Sequence, residues 1–238
     1  METSAMIAAA IDHTLLAATA TEDDIRRLCA EAREWGFAAV CVNPLHVALA
    51  AVGVRASAVR VASVVGFPLG ATTTAVKIAE ALGALEDGAR ELDVVSAIGL
   101  LRGRAYGRYR DDLAAVIEVA RRTRDVTVKV IIETGLLTRE EKLIAAQAAT
   151  EAGADYVKTS TGMLGGGATV EDLRLLRAAL PLSVRLKASG GIRTLAQARA
   201  LVEAGADRLG TSAGIAIARD ERQGHVGEPS RAIERDED

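Results

Sequence analysis

The chain has 238 residues, half of them hydrophobic and 3% aromatic, with a formal charge of −3. That length suffices for one large core, and the near-neutral balance supplies no basic field for nucleic acid. No apolar run approaches the roughly 18–20 residues of a membrane span. The two cysteines, Cys29 and Cys41, fit neither a disulfide framework nor a CxxC metal pattern, so a reduced, cytoplasmic setting with no metal is expected.

Short apolar segments alternate with helical ones from end to end. The first, AMIAAAID (5–12), lacks a basic flank and is expected to be a strand rather than a signal peptide. Its polar end, IDHT, offers Asp12 and Thr14 to the hydroxyl groups of a sugar-like substrate, while His13 has the opposite parity and is expected to be structural. An amphipathic stretch, TEDDIRRLCAEAREWG (21–36), follows, with Thr and Gly placed as helix caps. The strands AAVCVN (38–43) and VRVASVVGF (59–67), the helix TAVKIAEALGALEDG (74–88) and the strands ELDVVSAI (91–98) and VTVKVIIE (126–133) come next. The helix TREEKLIAAQAATEAG (138–153) precedes DYVKTST (155–161), SVRLKASG (183–190) and DRLGTSAG (207–214). Eight such alternations predict a single-domain (β/α)8 TIM barrel over residues 1–218; an open, doubly wound sheet is the alternative. The last twenty residues, 219–238, are charged and aperiodic and are expected to form a mobile tail.

The glycine that ends a helix supplies a ruler. Five residues beyond Gly36, Gly88, Gly153 and Gly205 stand Cys41, Asp93, Lys158 and Gly210, in strands two, four, six and eight. Barrel interiors are filled in layers of four side chains from alternate strands, so these four residues are expected to share a layer. EAGADYVKTSTG (151–162) and EAGADRLGTSAG (203–214) are near-copies in which Lys158 faces Gly210. Gly210 would leave a gap for the Lys158 side chain and its substrate. Lysines at strand ends also commonly reach outward to water, and spacing alone leaves that open.

A second lysine, Lys187, closes strand seven before Gly190 and Gly191. Both lysines fall at the C-terminal ends of strands, where barrels of this kind hold their sites. Two nearby ammonium groups disfavour each other's charge, and desolvation adds to the effect, so one can be a neutral amine near pH 7. Lys158 would attack a carbonyl and form an imine, Lys187 would lower its pKa, and Asp93 would pass protons through water. No cofactor is needed for that chemistry. An ordinary buried ion pair is the plain alternative for Lys187 and Asp93. SGGIRT and GTSAG, with Gly190, Gly191 and Ser212, offer backbone N–H groups to a phosphate, or simply make tight turns. Lys129 is a further charge in an apolar strand, at the polar rim or paired with Glu133; Arg185 shares the parity of Lys187; Cys41 is most simply a small core residue.

IDHTLL, VCVNP, VVGFPLGATTTAVKIAEA, ELDVV, VKVIIETGLL, DYVKTSTG, VRLKASGGIRT and GTSAG, in this order, resemble the deoxyribose-phosphate aldolase family from about Ile11 to Gly214. The resemblance implies reversible cleavage of 2-deoxy-D-ribose 5-phosphate to D-glyceraldehyde 3-phosphate and acetaldehyde. It makes Lys158 the Schiff-base nucleophile, Lys187 its activating neighbour and Asp93 the proton-relay acid. Asp12 and Thr14 match sugar-contacting positions; Gly162, Gly190, Gly191 and Ser212 match phosphate-side positions. Three features depart from the pattern: Ser96 stands where many members have Asn, Met163 where some have Lys, and the tail lacks the tyrosine with which some members end. The partners implied are phosphorylated sugars and small aldehydes, with a homo-oligomer left open by the Ala- and Leu-rich helices. A different lysine-dependent lyase and a non-catalytic sugar-phosphate-binding barrel are the competing readings.

Overall fold

The computed structural model describes residues 7–224. Eight parallel strands close into a barrel in sequence order: β1 (Ile11–Leu15), β2 (Ala39–Val42), β3 (Arg60–Val65), β4 (Glu91–Val95), β5 (Thr127–Ile131), β6 (Tyr156–Lys158), β7 (Arg185–Ser189) and β8 (Arg208–Thr211). The ring shuts through β1 and β8, with Asp12 opposite Gly210. This is the (β/α)8 barrel expected from the alternation.

The helices between the strands are α1 (Glu22–Trp35), α2 (Val47–Gly53), α3 (Thr74–Glu86), α4 (Ile98–Arg102), α5 (Tyr106–Ala120), α6 (Arg139–Glu151), α7 (Val170–Ala179), α8 (Leu195–Glu203) and α9 (Gly214–Arg222). Threonine begins five of them: the side chains of Thr21, Thr73, Thr138, Thr169 and Thr194 each accept a backbone N–H of the first turn. Each such cap is worth about 1 kcal/mol. Gly36 ends α1 in the left-handed region (φ 68°), from which Phe37 donates back to the Ala32 carbonyl.

Alternation along the strands separates two interiors. Val40, Val42, Leu92, Val94, Val128, Val130, Val157, Leu186 and Leu209 point outward into one continuous apolar cluster beneath the helices. Inside the barrel Cys41, Ala62 and Val64 form a separate small apolar cluster. The remaining inner positions are largely charged, and there the site is built.

Two expected boundaries change. Ile7–Ala10 form a 3-10 turn rather than a strand, and β1 begins at Ile11, so the polar IDHTL segment is the strand itself. At the other end the last helix runs past residue 218 to Arg222. Glu221 accepts from the backbone N–H groups of Ile7 and Ala8 at 2.8 and 3.3 Å, and Arg222 lies 3.9 Å over the Trp35 ring. These contacts tie the two ends of the barrel domain together. Residues 225–238, most of the expected tail, lie outside the described residues.

Candidate active site

The residues five beyond each glycine do converge. Lys158 Nζ donates to Asp93 Oδ2 at 2.7 Å, and Cys41 Sγ lies 4.0 Å from the same oxygen. Gly210 closes the ring, but the space that it leaves is filled by Lys187 rather than by Lys158: a Cβ at position 210 would stand 3.1 Å from Lys187 Cε. Applied at three residues instead of five, the same glycine ruler names Ala39, Glu91, Tyr156 and Arg208, the next inner positions toward the barrel floor.

A buried ionic network joins these residues to their neighbours on odd strands. Lys187 Nζ contacts Asp12 Oδ2 at 2.5 Å and Asp93 Oδ2 at 2.7 Å. Lys129 Nζ contacts Glu91 at 2.6 Å, Asp93 Oδ1 at 2.7 Å and Asp12 at 3.5 Å. Arg208 contacts Asp12 at 2.6 Å and Glu91 at 3.4 Å. Three buried carboxyl groups (Asp12, Glu91, Asp93) thus meet four basic groups from inside the barrel (Lys129, Lys158, Lys187, Arg208), while the partly exposed Arg60 pairs with Asp125 and also lies 3.6 Å from Glu91. One base is in excess, and burial makes an excess charge costly.

Which base goes without is decided by its partners. Lys129 touches three carboxyl groups, Lys187 and Arg208 two each, and Lys158 only Asp93. Burial therefore dominates at Lys158 and, with repulsion from Lys187, outweighs Asp93 and lowers its pKa. Burial opposes the charge of Lys187 too, but Asp12 and Asp93 prevail and raise its pKa. At Asp93 burial is overcome by Lys129, Lys158 and Lys187, which hold the carboxyl well below its ordinary value; Asp12 is lowered likewise by Lys187, Lys129 and Arg208.

Above this floor opens a cleft of about 370 Å³ whose lining includes Lys158, Thr14, Gly162, Gly190, Gly191 and Ser212. Gly162, Gly190 and Gly191 all have φ between 75° and 90°, a region that L side chains strain to adopt. Among the described residues, the backbone N–H groups of Gly162, Gly191 and Ser212 make no hydrogen bond within the protein. Unpaired backbone amides of this kind are able to bind an anion.

Asp12 and Lys129 take partners that the spacing did not suggest, whereas His13 and Cys41 are structural, as expected. Asp12 does not face the cleft: it is fully buried, and both its oxygens are engaged by Lys187 and Arg208, whose charges it balances. Lys129 pairs with Glu91 and Asp93 rather than with Glu133. Cys41 packs with Ala62 and Val64, and burial raises its thiol pKa. His13 turns outward to Glu31 at 2.8 Å and packs on Phe37. Arg185 begins β7 at the barrel floor and lies 4.2 Å over the Tyr156 ring. Sequence reasoning missed Glu91 and Arg208, which the three-residue count would have found. It also missed Arg193, which lines the cleft immediately after Gly190, Gly191 and Ile192.

Known proteins resemble this chain over nearly its whole length. The protein is 52% identical to a deoxyribose-phosphate aldolase of Carboxydothermus hydrogenoformans, over 91% of this chain and 96% of that one. It is 55% identical to another of Thermococcus kodakarensis, over 89% and 95%. Among solved structures, a tetrameric deoxyribose phosphate aldolase from Aeropyrum pernix superposes with a TM-score of 0.85 at 35% identity, covering 91% of each chain. Residues 6–224 match the DeoC/LacD family of aldolases, in which an imine on lysine is the general means of catalysis. A buried lysine of lowered pKa at the foot of a cleft is what such chemistry requires, and the chain is an aldolase of the DeoC/LacD family.

Proposed function

We propose that the protein cleaves 2-deoxy-D-ribose 5-phosphate reversibly to D-glyceraldehyde 3-phosphate and acetaldehyde, with Lys158 as the nucleophile. The observation that carries this reading is the unequal sharing of Asp93: Lys158 faces the cleft with one carboxyl partner and a lowered pKa, while Lys187 is kept charged by two.

Neutral Lys158 Nζ adds to C1 of the open-chain sugar, and loss of water gives the iminium. A base removes the proton of the 3-hydroxyl, C3 becomes the aldehyde of glyceraldehyde 3-phosphate, and the C2–C3 bonding pair moves into the enamine. Protonation at C2 and hydrolysis then release acetaldehyde and the free amine. Asp93 has little affinity for a proton, so one that it receives passes on to water rather than staying. Lys187 also lowers the pKa of Lys158 by its charge. Thr14, beside Lys158 in the cleft, is placed for a sugar hydroxyl. The free N–H groups of Gly162, Gly191 and Ser212, with Arg193, suit the phosphate; Met163 adds no charge there, and Arg193 supplies one.

Self-association is part of the same proposal. The outer face of α3 presents Ala75, Val76, Ala79 and Leu82, and the neighbouring α2, VALAAVG, contains no charged residue. Leu45, Val52, Leu69, Val76 and Leu82 are all exposed in this region, Leu45 by 86%. Helices that are apolar on every face are ordinarily covered. An uncharged face can meet its own copy across a two-fold axis without opposing like charges, and the Aeropyrum pernix relative is tetrameric.

The test of the catalytic reading is incubation with acetaldehyde and borohydride, followed by peptide mass spectrometry. An N-ethyl group on Lys158 alone is expected; no adduct, or scattered labelling of surface lysines, would sink it.

A further inference from the structure

Glu133 has no place in the imine chemistry, yet its position is unusual. It is fully buried just beyond β5, and its backbone is left-handed (φ 54°, ψ 65°), a conformation that an L side chain adopts only under strain. Its Oε2 accepts the backbone N–H of Thr161 at 3.0 Å, and Oε1 has no partner. Thr161 in turn accepts the N–H of Met163 on its hydroxyl at 3.1 Å.

These two bonds shape the loop after β6. The amides of Thr161 and Met163 are turned into the protein, while that of Gly162, between them, has no protein partner and belongs to the cleft wall. The loop root is fixed independently, since Ile132 N–H donates to the Lys158 carbonyl and Thr134 N–H to the Thr159 carbonyl. Glu133 therefore sits on a stretch already stitched to β6 and reaches across to a loop amide beyond the strand ladder. Glycine would relieve the strain at position 133 but would leave the Thr161 amide unsatisfied.

We propose that Glu133 is a positioning residue for the phosphate end of the substrate: by holding the Thr161 amide it sets the conformation in which Gly162 N–H faces the cleft. The inference rests on the phosphate reading given above. Pre-set donors bind an anion without first reorganising, so loosening them weakens phosphate binding more than it slows chemistry at Lys158.

The experiment compares wild type, Glu133→Met and Glu133→Gln on 2-deoxyribose 5-phosphate and on unphosphorylated 2-deoxyribose. Methionine keeps the volume and removes the acceptor; the glutamine amide oxygen still accepts the Thr161 N–H. For Glu133→Met, KM for the phosphorylated sugar should rise roughly tenfold or more, while kcat/KM for the unphosphorylated sugar and trapping of acetaldehyde on Lys158 stay within about twofold. Glu133→Gln should restore most of the loss. Equal losses on both sugars, or a glutamine variant as impaired as the methionine one, would overturn the proposal. A wild-type enzyme indifferent to the phosphate sinks the phosphate reading instead. Glu133 is then judged by amide hydrogen exchange at Thr161, which should quicken about tenfold in Glu133→Met; unchanged exchange overturns its role.

Discussion

Lys187 occupies the space that Gly210 leaves open: a methyl group at position 210 would stand 3.1 Å from the lysine Cε and 2.9 Å from Ser189 Cβ. The glycine in β8 thus makes room for the lysine in β7, which can then reach Asp12 and Asp93. Gly210→Ala should push Lys187 off both carboxyl groups. We expect a loss of about 1–3 kcal/mol in stability from overpacking and a fall in aldol cleavage of at least tenfold. Denaturant unfolding and steady-state kinetics read the two effects, and a fully active alanine variant would refute the account.

Lys158 and Lys187 should differ sharply in what their removal does to stability. Lys158→Met removes the base with the fewest carboxyl partners and leaves Asp93 paired with Lys129 and Lys187, so turnover should vanish while the melting temperature holds or rises. Lys187→Met strips Asp12 and Asp93 of a shared partner and should cost on the order of 3 kcal/mol. Calorimetry of the two variants side by side decides the matter; equal destabilisation would contradict the charge count.

Activity should fall on the acid side as Lys158 takes up a proton. Burial and the charge of Lys187 lower its pKa, so the acid limb of kcat/KM should lie below the ordinary lysine value. Lys187→Leu removes the repulsion, raises the Lys158 pKa and should move that limb to higher pH; a limb that does not move would remove Lys187 from this role.

Stability toward acid should depend on Asp12 and Asp93. Their native pKa values lie below the ordinary 3.8, so their contribution is complete above that value and is lost as pH falls through the lower native ones. Asp93→Asn should therefore reduce stability at neutral pH and flatten the decline toward low pH. Unfolding curves at several pH values test this, and an unchanged pH slope would count against it.

The apolar face of α2 and α3 should govern assembly. Val76→Glu with Leu82→Glu places charge where two copies would meet, and light scattering should show a smaller particle than wild type with an unchanged circular dichroism spectrum. A monomeric wild type would refute self-association through this face.

Much of the architecture was legible because local rules fix it. Threonine caps, helix-ending glycines and period-two strands gave eight βα units, and the equal spacing from Gly36, Gly88, Gly153 and Gly205 placed Cys41, Asp93, Lys158 and Gly210 on one inner layer. Where one element's geometry depended on another, the reading slipped: β1 starts later than its apolar run, because hydrophobicity there marks a buried 3-10 turn, and α9 extends to Arg222 because Glu221 meets the backbone at the opposite end of the chain.

Parity told which side chains enter the barrel, since the pleat leaves each residue only two directions. It could not pair them. Asp12, expected at the sugar, instead balances Lys187 and Arg208, and Lys129 meets Glu91 rather than Glu133. Strand tilt and register carry Asp12 and Arg208, 196 positions apart, into contact, and a buried charge takes the partners that this geometry brings nearest. The sequence by itself determined eight alternating βα units and the strand ends at which the lysines stand. Only closure of the ring decided which lysine is left with a single carboxyl partner, because electrostatic energy depends on distances that no single strand contains.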